Sequence, residues 1–322
     1  MQKGLIYIVL VILGGLIAYL ILGDFLKDEL SNPSENPYAY EVDEFKHVDP
    51  SLIKYREVKR INLSISDPKG IDYHKGAIYL VYKNHIQVID TSGIELLNIS
   101  VPGLNTSISV SPEDVIFIGN KDHIEQFDLA GNLLHTWDTL GQKTIITSIA
   151  FKRDAVFVAD AGNLLVYRYN YNGEKLNAFD GKVRIEGSYG FLIPSPYFDL
   201  VVDPDNELWI VNPGLHYVEN YTDEGQIRAF WGESSFDIEG FSGCCNPSHL
   251  ASLPDGSFVT SEKGLLRIKI YKPSGEFDCV VAAPDKFDED AEPLDLTTDE
   301  NGNIYALDIS KNLVRIFKRK ET

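Results

Sequence analysis

Along most of the chain, apolar and polar positions follow one recurring order: a short apolar run, a turn carrying Asp, Asn or Gly, two further strand-like runs, and a second turn closed by glycine. Three copies align with hardly a gap, at 200–225 (LVVDPDNELWIVNPGLHYVENYTDEG), 250–275 (LASLPDGSFVTSEKGLLRIKIYKPSG) and 296–317 (LTTDENGNIYALDISKNLVRIF). Three looser copies precede them at 71–93, 108–131 and 149–173. Short runs with period-two alternation, broken by turn residues every few positions, predict strands. The closing glycines at 93, 131, 173, 225 and 275 stand 38 to 52 residues apart, a spacing that suits one four-stranded blade per copy. Glycine fits these turns because they use positive φ, where a Cβ clashes with the backbone.

The sixth copy supplies only three strands before the chain runs out, while 55–65 (YREVKRINLSI) reads as a strand ahead of the first copy. Pairing the two ends removes an exposed sheet edge, so 55–65 is expected to be the outer strand of the last blade. A seventh, divergent blade is the alternative. The expected fold class is therefore all-β, a six-bladed β-propeller over 55–322.

Composition agrees. Only 1 Met stands beside 17 Tyr and 16 Phe, and aromatic and branched residues pack well on pleated surfaces. The formal charge of −19 repels phosphate backbones, so no nucleic acid partner is expected, and an anionic lipid surface gains nothing from a field of this sign. Solubility, or a cationic partner, accounts for the charge.

Residues 4–23 (GLIYIVLVILGGLIAYLILG) carry no charge, and about 20 apolar residues are what a helix needs to cross a bilayer. No small-x-small cleavage site follows, so 1–25 is expected to be an uncleaved transmembrane anchor. Lys3 precedes the apolar run and Asp24, Lys27, Asp28 and Glu29 follow it, a weak bias that places the propeller on the extracytoplasmic, periplasmic side of a single-pass membrane protein. Residues 26–54 are rich in Pro, Asn and Glu and read as a polar tether.

The last copy has Pro293, Asp299, Gly302, Ile304, Tyr305, Asp308, Arg315 and Phe317 in an order that resembles the NHL repeat, and the likeness extends over about 66–318. The resemblance implies a six-bladed propeller, often a module that recruits another protein, here one of the cell envelope. The lyase of this fold that cleaves peptidyl hydroxyglycines holds zinc on several channel histidines, and only His249 falls at such a place here. Calcium-dependent propeller lactonases place their ligands one residue differently.

In such a propeller the first strand of each blade lines a central channel. The residues just before the first apolar position of each copy are Gly70, Ser107, Ser148, Asp199, His249 and Asp295, so blades four, five and six offer Asp, His and Asp. Two carboxylates and an imidazole suit a divalent cation or an oriented base; a hydrogen-bonded ring around a wet channel uses the same groups. Immediately upstream, Cys244 and Cys245 precede Asn246-Pro247, and Glu262 is expected on the same side of blade five. Thiolate, imidazole and carboxylate together would take Zn or Cu, the acidic groups Ca, and the thiol pair could alternatively cycle to a disulfide. Cys279 lies in an outer-strand segment and reads as core packing. His85, His123 and His216 read as loop residues, Asp160, Asn212 and Asp308 as turn caps, and 285–292 (DKFDEDAE) as a solvated acidic loop, with calcium binding as the alternative although the fixed ligand spacing of a known calcium loop is missing.

No phosphate-binding glycine loop, nucleophile elbow or haem-attachment motif is present, so common cofactor enzymes are disfavoured. Two function classes follow: a binding or scaffold propeller, and a metal- or thiol-dependent site at the channel mouth near Cys244, Cys245 and His249.

Overall fold

The computed structural model describes residues 13–16, 19, 45–182, 190–289 and 291–321. Two compact units divide the chain, Met1–Val42 and Asp43–Thr322. In the first, the described residues 13–16 and 19 are helical. The expected membrane helix falls mostly outside the described residues, and no helix among those described is long and apolar enough to cross a membrane.

The second unit is a six-bladed β-propeller. Six four-stranded antiparallel sheets span 68–100, 105–136, 146–179, 200–231, 249–282 and 295–319, and the sixth takes its outer strand from Tyr55–Asn62. That strand pairs antiparallel with Leu313–Arg319 from Tyr55 opposite Arg319 to Asn62 opposite Leu313, with one irregularity between Glu57 and Lys59. Closure by the two chain ends is as the repeat count requires.

The repeat pattern becomes packing in a simple way. Each blade is buried on both faces, so its second strand reads as a continuous apolar run whose alternate residues serve two different cores. In Ala77–Tyr82, Ala77, Tyr79 and Val81 join the core shared with blade two, and Ile78, Leu80 and Tyr82 the core shared with blade six. The same division recurs around the ring. Six apolar clusters result, one at each blade interface.

The five closing glycines have φ between 80° and 95°. Gly225 shows what else the position demands: a Cβ there would lie 2.2 Å from Cγ of Phe179, on the outer strand of the preceding blade. The turn thus doubles as a blade contact, and only glycine satisfies both requirements.

Residues 45–54, expected as tether, belong to the propeller unit. Phe45 packs on Phe236 at 5.3 Å, Ile53 forms a bridge with Val280, and Lys54 donates to the Asp278 carboxylate at 3.1 Å. Polar composition concealed two apolar residues that find a place against blade five.

Ring closure carries a partly buried charge pair. Arg315, 2% exposed, donates from Nε and Nη2 to the two carboxylate oxygens of Glu57 at 3.0 and 2.9 Å. Arg315 also lies over Phe287 and within 3.6 Å of Asp308. Partial burial opposes the Glu57 carboxylate, but hydrogen bonds and charge from Arg60 and Arg315 prevail and bring its pKa down to about 2. A carboxyl with a depressed folded pKa stabilises above its unfolded pKa, and that contribution is lost as pH falls toward 2. Glu57→Gln is therefore expected to lower stability by about 2–3 kcal/mol at neutral pH, read by urea unfolding. The variant should also lose part of the wild-type decline in stability between pH 4.5 and 2. Equal stability of the two proteins at pH 7 would show that closure does not depend on the pair.

Candidate functional site

The innermost strands are Pro68–His74, Asn105–Val110, Ile146–Lys152, Leu200–Val202, His249–Ser252 and Asp295–Thr298. They surround a channel cavity of about 500 Å³. In blades one to three a register irregularity at the strand entry, between Pro68 and Gly70, Asn105 and Ser107, and Ile146 and Ser148, sets the side chains that follow.

Side chains at five of the six innermost strands reach a neighbouring blade's backbone, two of them from blade six, and together these bonds cross all six interfaces. Asp72 accepts from Val110 N–H (2.7 Å), Thr106 Oγ1 donates to the Ile146 carbonyl (2.6 Å), and Thr147 Oγ1 to the Phe198 carbonyl (2.6 Å). Asp199 accepts from Leu250 N–H (2.9 Å), Asp295 accepts from Ile71 N–H (3.0 Å), and Thr298 Oγ1 donates back to the Ser252 carbonyl (2.6 Å). Of the six positions expected to form such a ring, Asp199 and Asp295 take part in these bonds; the others come from Asp72, Thr106, Thr147 and Thr298, and Ser107 Oγ has no partner.

Within that ring, blades four, five and six also bring three charged groups together. His249 Nδ1 lies 3.3 Å from Asp295 Oδ1 and 3.6 Å from Asp199 Oδ2, and one ligand atom from each residue lies within 4.8 Å of the others. Each carboxylate is held by backbone: Asp199 also takes Leu200 N–H and the Ser148 hydroxyl (2.8 and 2.6 Å), and Asp295 takes Leu296 N–H (2.9 Å). The facing blades one to three contribute Gly70, Ser107 and Ser148, so the rim is charged on one side and small on the other. A Cβ on Gly70 would stand 3.5 Å from Asp295 Oδ2 and 3.3 Å from Val81, which leaves little room for a larger residue.

Burial alone would lower the His249 pKa; hydrogen bonding and charge from Asp199 and Asp295 outweigh it and raise it to about 10. The edge of the Tyr197 ring meets the imidazole at 5.6 Å, and Lys263 Nζ lies 5.6 Å from the Tyr197 centroid. One step deeper, Asp72 accepts from Tyr73 N–H, Val110 N–H and Thr297 Oγ1; burial raises its pKa to about 6 against those hydrogen bonds. Asp72 was legible as the residue two positions after Gly70, on the same face of the strand. Tyr197 was not, because it sits in an irregular loop.

The other three candidates do not join the cluster. Glu262 is fully buried and committed to Arg267, by two hydrogen bonds of 2.9 and 2.7 Å, and to Lys269 at 2.9 Å. Arg267 and Lys269 in turn donate to carbonyls of Phe236, Ile238 and Gly240, so this buried group fastens the loop ahead of blade five. Its carboxylate is a counter-ion, which corrects the expectation that it faces the channel beside His249. Cys244 is exposed and Cys245 buried; their sulfurs lie 3.1 Å apart, and among the described residues they are not grouped with Asp199, His249 and Asp295. Cys279 is a buried free thiol in the core between blades five and six. Asp160 and Asp308 cap turns by accepting backbone N–H groups, His216 bonds the Gly243 carbonyl, and acids of the 285–292 loop pair with Lys286, Lys311 and Lys46.

Neither a family model nor a curated protein matches the sequence. Solved structures match its fold. The chain is similar to a streptogramin B lyase at 16% identity, with 83% of this chain and 98% of that one covered and a TM-score of 0.57. Similar too is virginiamycin B lyase from Staphylococcus aureus, at 15% identity over 83% and 90% of the two chains, TM-score 0.56. A protein of unknown function from Bacteroides thetaiotaomicron matches at 14% identity over 81% and 72%, TM-score 0.60. At these identities the likeness carries the propeller fold.

A group whose folded pKa is raised stabilises below its unfolded pKa and loses that contribution as pH climbs through the folded value. The His249 contribution is thus full below about 6.5 and disappears toward about 10. NMR titration of metal-free protein is expected to show a His249 imidazole still protonated at pH 8, with Asp295→Asn titrating at least one unit lower. An imidazole that deprotonates near 6.5 in both proteins would show that the carboxylates do not hold the proton.

Proposed function

We propose that the chain is a membrane-tethered, NHL-type binding propeller that takes its ligand at the channel mouth, on Asp199, His249 and Asp295. The observation that carries this reading is the convergence of an imidazole nitrogen and two carboxylates from three consecutive blades on one cavity. Ligands about 2.1 Å from one ion stand about 3.0 to 3.4 Å apart in octahedral or tetrahedral arrangements. The two His249 contacts of 3.3 and 3.6 Å lie at or near that range, and the three ligand atoms, all within 4.8 Å of one another, would draw together around an ion. An imidazole with carboxylates suits zinc or copper better than calcium, which prefers oxygen alone. The resident proton on Nδ1 must leave for the ion to bind, so cation and proton compete for one position.

A lyase reading has weaker support. The solved lyases share this fold at 15–16% identity, and an imidazole clamped between two carboxylates, with a pKa near 10, is protonated at neutral pH and is no base there. A protein partner has separate support: Ile94, Leu96, Leu133, Leu134 and Phe230, on the outer side of blades one, two and four, are each more than half exposed. The uncharged run 4–23 supports the tether, and within it Leu13, Leu16 and Tyr19 are helical and more than half exposed.

Zinc titration of the propeller unit 43–322 is expected to show one equivalent bound with release of about one proton at pH 7. Asp199→Asn with Asp295→Asn should weaken binding at least 100-fold, and Cys244→Ser with Cys245→Ser should leave it unchanged. Zinc that follows the cysteines instead of the aspartates would overturn the assignment. For the tether, the full chain is expected in the detergent phase of a detergent–water partition and 43–322 in the aqueous phase; both in the aqueous phase would remove the membrane from the reading.

A further inference from the structure

The channel cluster leaves unused a pair of adjacent thiols in the loop ahead of blade five. Cys244 and Cys245 are free thiols, the first exposed and the second 4% exposed, with sulfurs 3.1 Å apart. Adjacent cysteines in an extended strand point their side chains to opposite faces, so this approach needs a folded-back backbone. The loop supplies one. Gly243, at φ 74°, turns the chain just before the pair.

Buried polar bonds then pin both flanks. Ser242 N–H donates to Glu262 (3.1 Å), itself held by Arg267 and Lys269. On the other flank, Asn246 Oδ1 accepts Lys263 N–H (2.6 Å) and its Nδ2 donates to the Lys263 carbonyl (3.0 Å), while Ser248 Oγ donates to the Cys245 carbonyl (3.2 Å). The two sulfurs are thereby held face to face before any bond forms, which is what raises the effective concentration of one thiol at the other.

We propose that Cys244 and Cys245 are a redox modification site, a vicinal dithiol that closes to a cyclic disulfide when a small-molecule disulfide of the glutathione class reaches the exposed Cys244. In the first step the Cys244 thiolate attacks one sulfur of the small disulfide, forming a mixed disulfide and releasing one small thiolate. In the second, the Cys245 thiolate attacks Cys244 Sγ and expels the other. Two protein thiols lose two electrons and two protons, and the small disulfide is reduced to two thiols. An approach of about 1 Å brings the sulfurs to bonding distance.

The order of events follows from access. Burial keeps a small disulfide from Cys245, so Cys244 is the entry point and Cys245 the resolving thiol. The hydrogen bond to Cys245 raises the Cys244 pKa, and nearby Lys263 opposes that rise, so exchange runs best at mildly alkaline pH. Cys279 takes no part: it is fully buried, and burial, followed by the neighbouring Asp278, pushes its thiol up to about 12. Neither cysteine lines the channel cavity, and the strand that carries His249 begins four residues beyond Cys245.

The test treats the reduced full chain with oxidised glutathione at about pH 8.5 and follows intact mass, denatured thiol count and peptide mapping. Wild-type protein is expected to fall from three titratable thiols to one, with the mass of two hydrogens lost, no retained glutathione and both cysteines linked in one peptide. Cys245→Ser should trap glutathione on Cys244, Cys244→Ser should stay unmodified, and Cys279→Ser should close the ring as wild type does. A stable glutathione adduct on wild-type Cys244, a bond involving Cys279, or three thiols surviving would each overturn the proposal.

Discussion

The last sheet of the ring borrows its outer strand from the start of the propeller unit, and that strand is Tyr55–Asn62. Without it Leu313–Arg319 would be a bare edge, and the core that joins Ile61 and Leu63 to Ile71, Leu80 and Tyr305 would stand open. The contacts span more than 250 residues of sequence, as Glu57 and Arg315 do. Ordering such distant segments is entropically expensive and yields little until the intervening blades are in place. Closure is therefore the step on which the other five interfaces depend for a fixed geometry.

Those interfaces repeat one solution. A blade offers two apolar faces, its neighbours cover both, and the side chains near the channel hydrogen-bond across the gap. Polar atoms at the axis line a cavity, and most of them find partners in each other or in backbone, Ser107 Oγ excepted. Asp72, Asp199 and Asp295 do so with carboxylates that accept from the next blade. A carboxylate used in this way is structural first, and its remaining oxygen capacity is what a ligand can use.

This dual use explains which features were legible in the sequence. Blade number, closing strand and the places of Asp199, His249 and Asp295 follow from period and alignment, because the repeat fixes where each strand starts, whereas Asp72, Thr106, Thr147 and Thr298, which supply the other bonds between blades, stand off the aligned positions. Glu262 was misread because its partners, Arg267 and Lys269, alternate with Leu266, Ile268 and Ile270 and look like the solvated face of a strand. Burial of that face is the work of the preceding loop, whose Phe236, Ile238 and Gly240 carbonyls receive the charges, and no periodicity records where an irregular loop will lie. Phe45 and Ile53 were hidden in the same manner inside a polar stretch. Tyr197 escaped for want of any repeat position to mark it.

The charged rim and the closure of the ring prove to be one structure. Asp199, His249 and Asp295 come from blades four, five and six, and Asp295 reaches across the closing interface to Ile71 N–H of blade one, where Gly70 leaves it space. Opening the ring would free that oxygen, relax its partner at Leu296 and withdraw one of the two charges that hold the His249 proton. Conversely, an ion that draws His249, Asp199 and Asp295 together would tighten three blades and, through Ile71, the junction of the chain's two ends. The affinity of the proposed site for such an ion and the stability of closure would be coupled terms, so each would change when the other does.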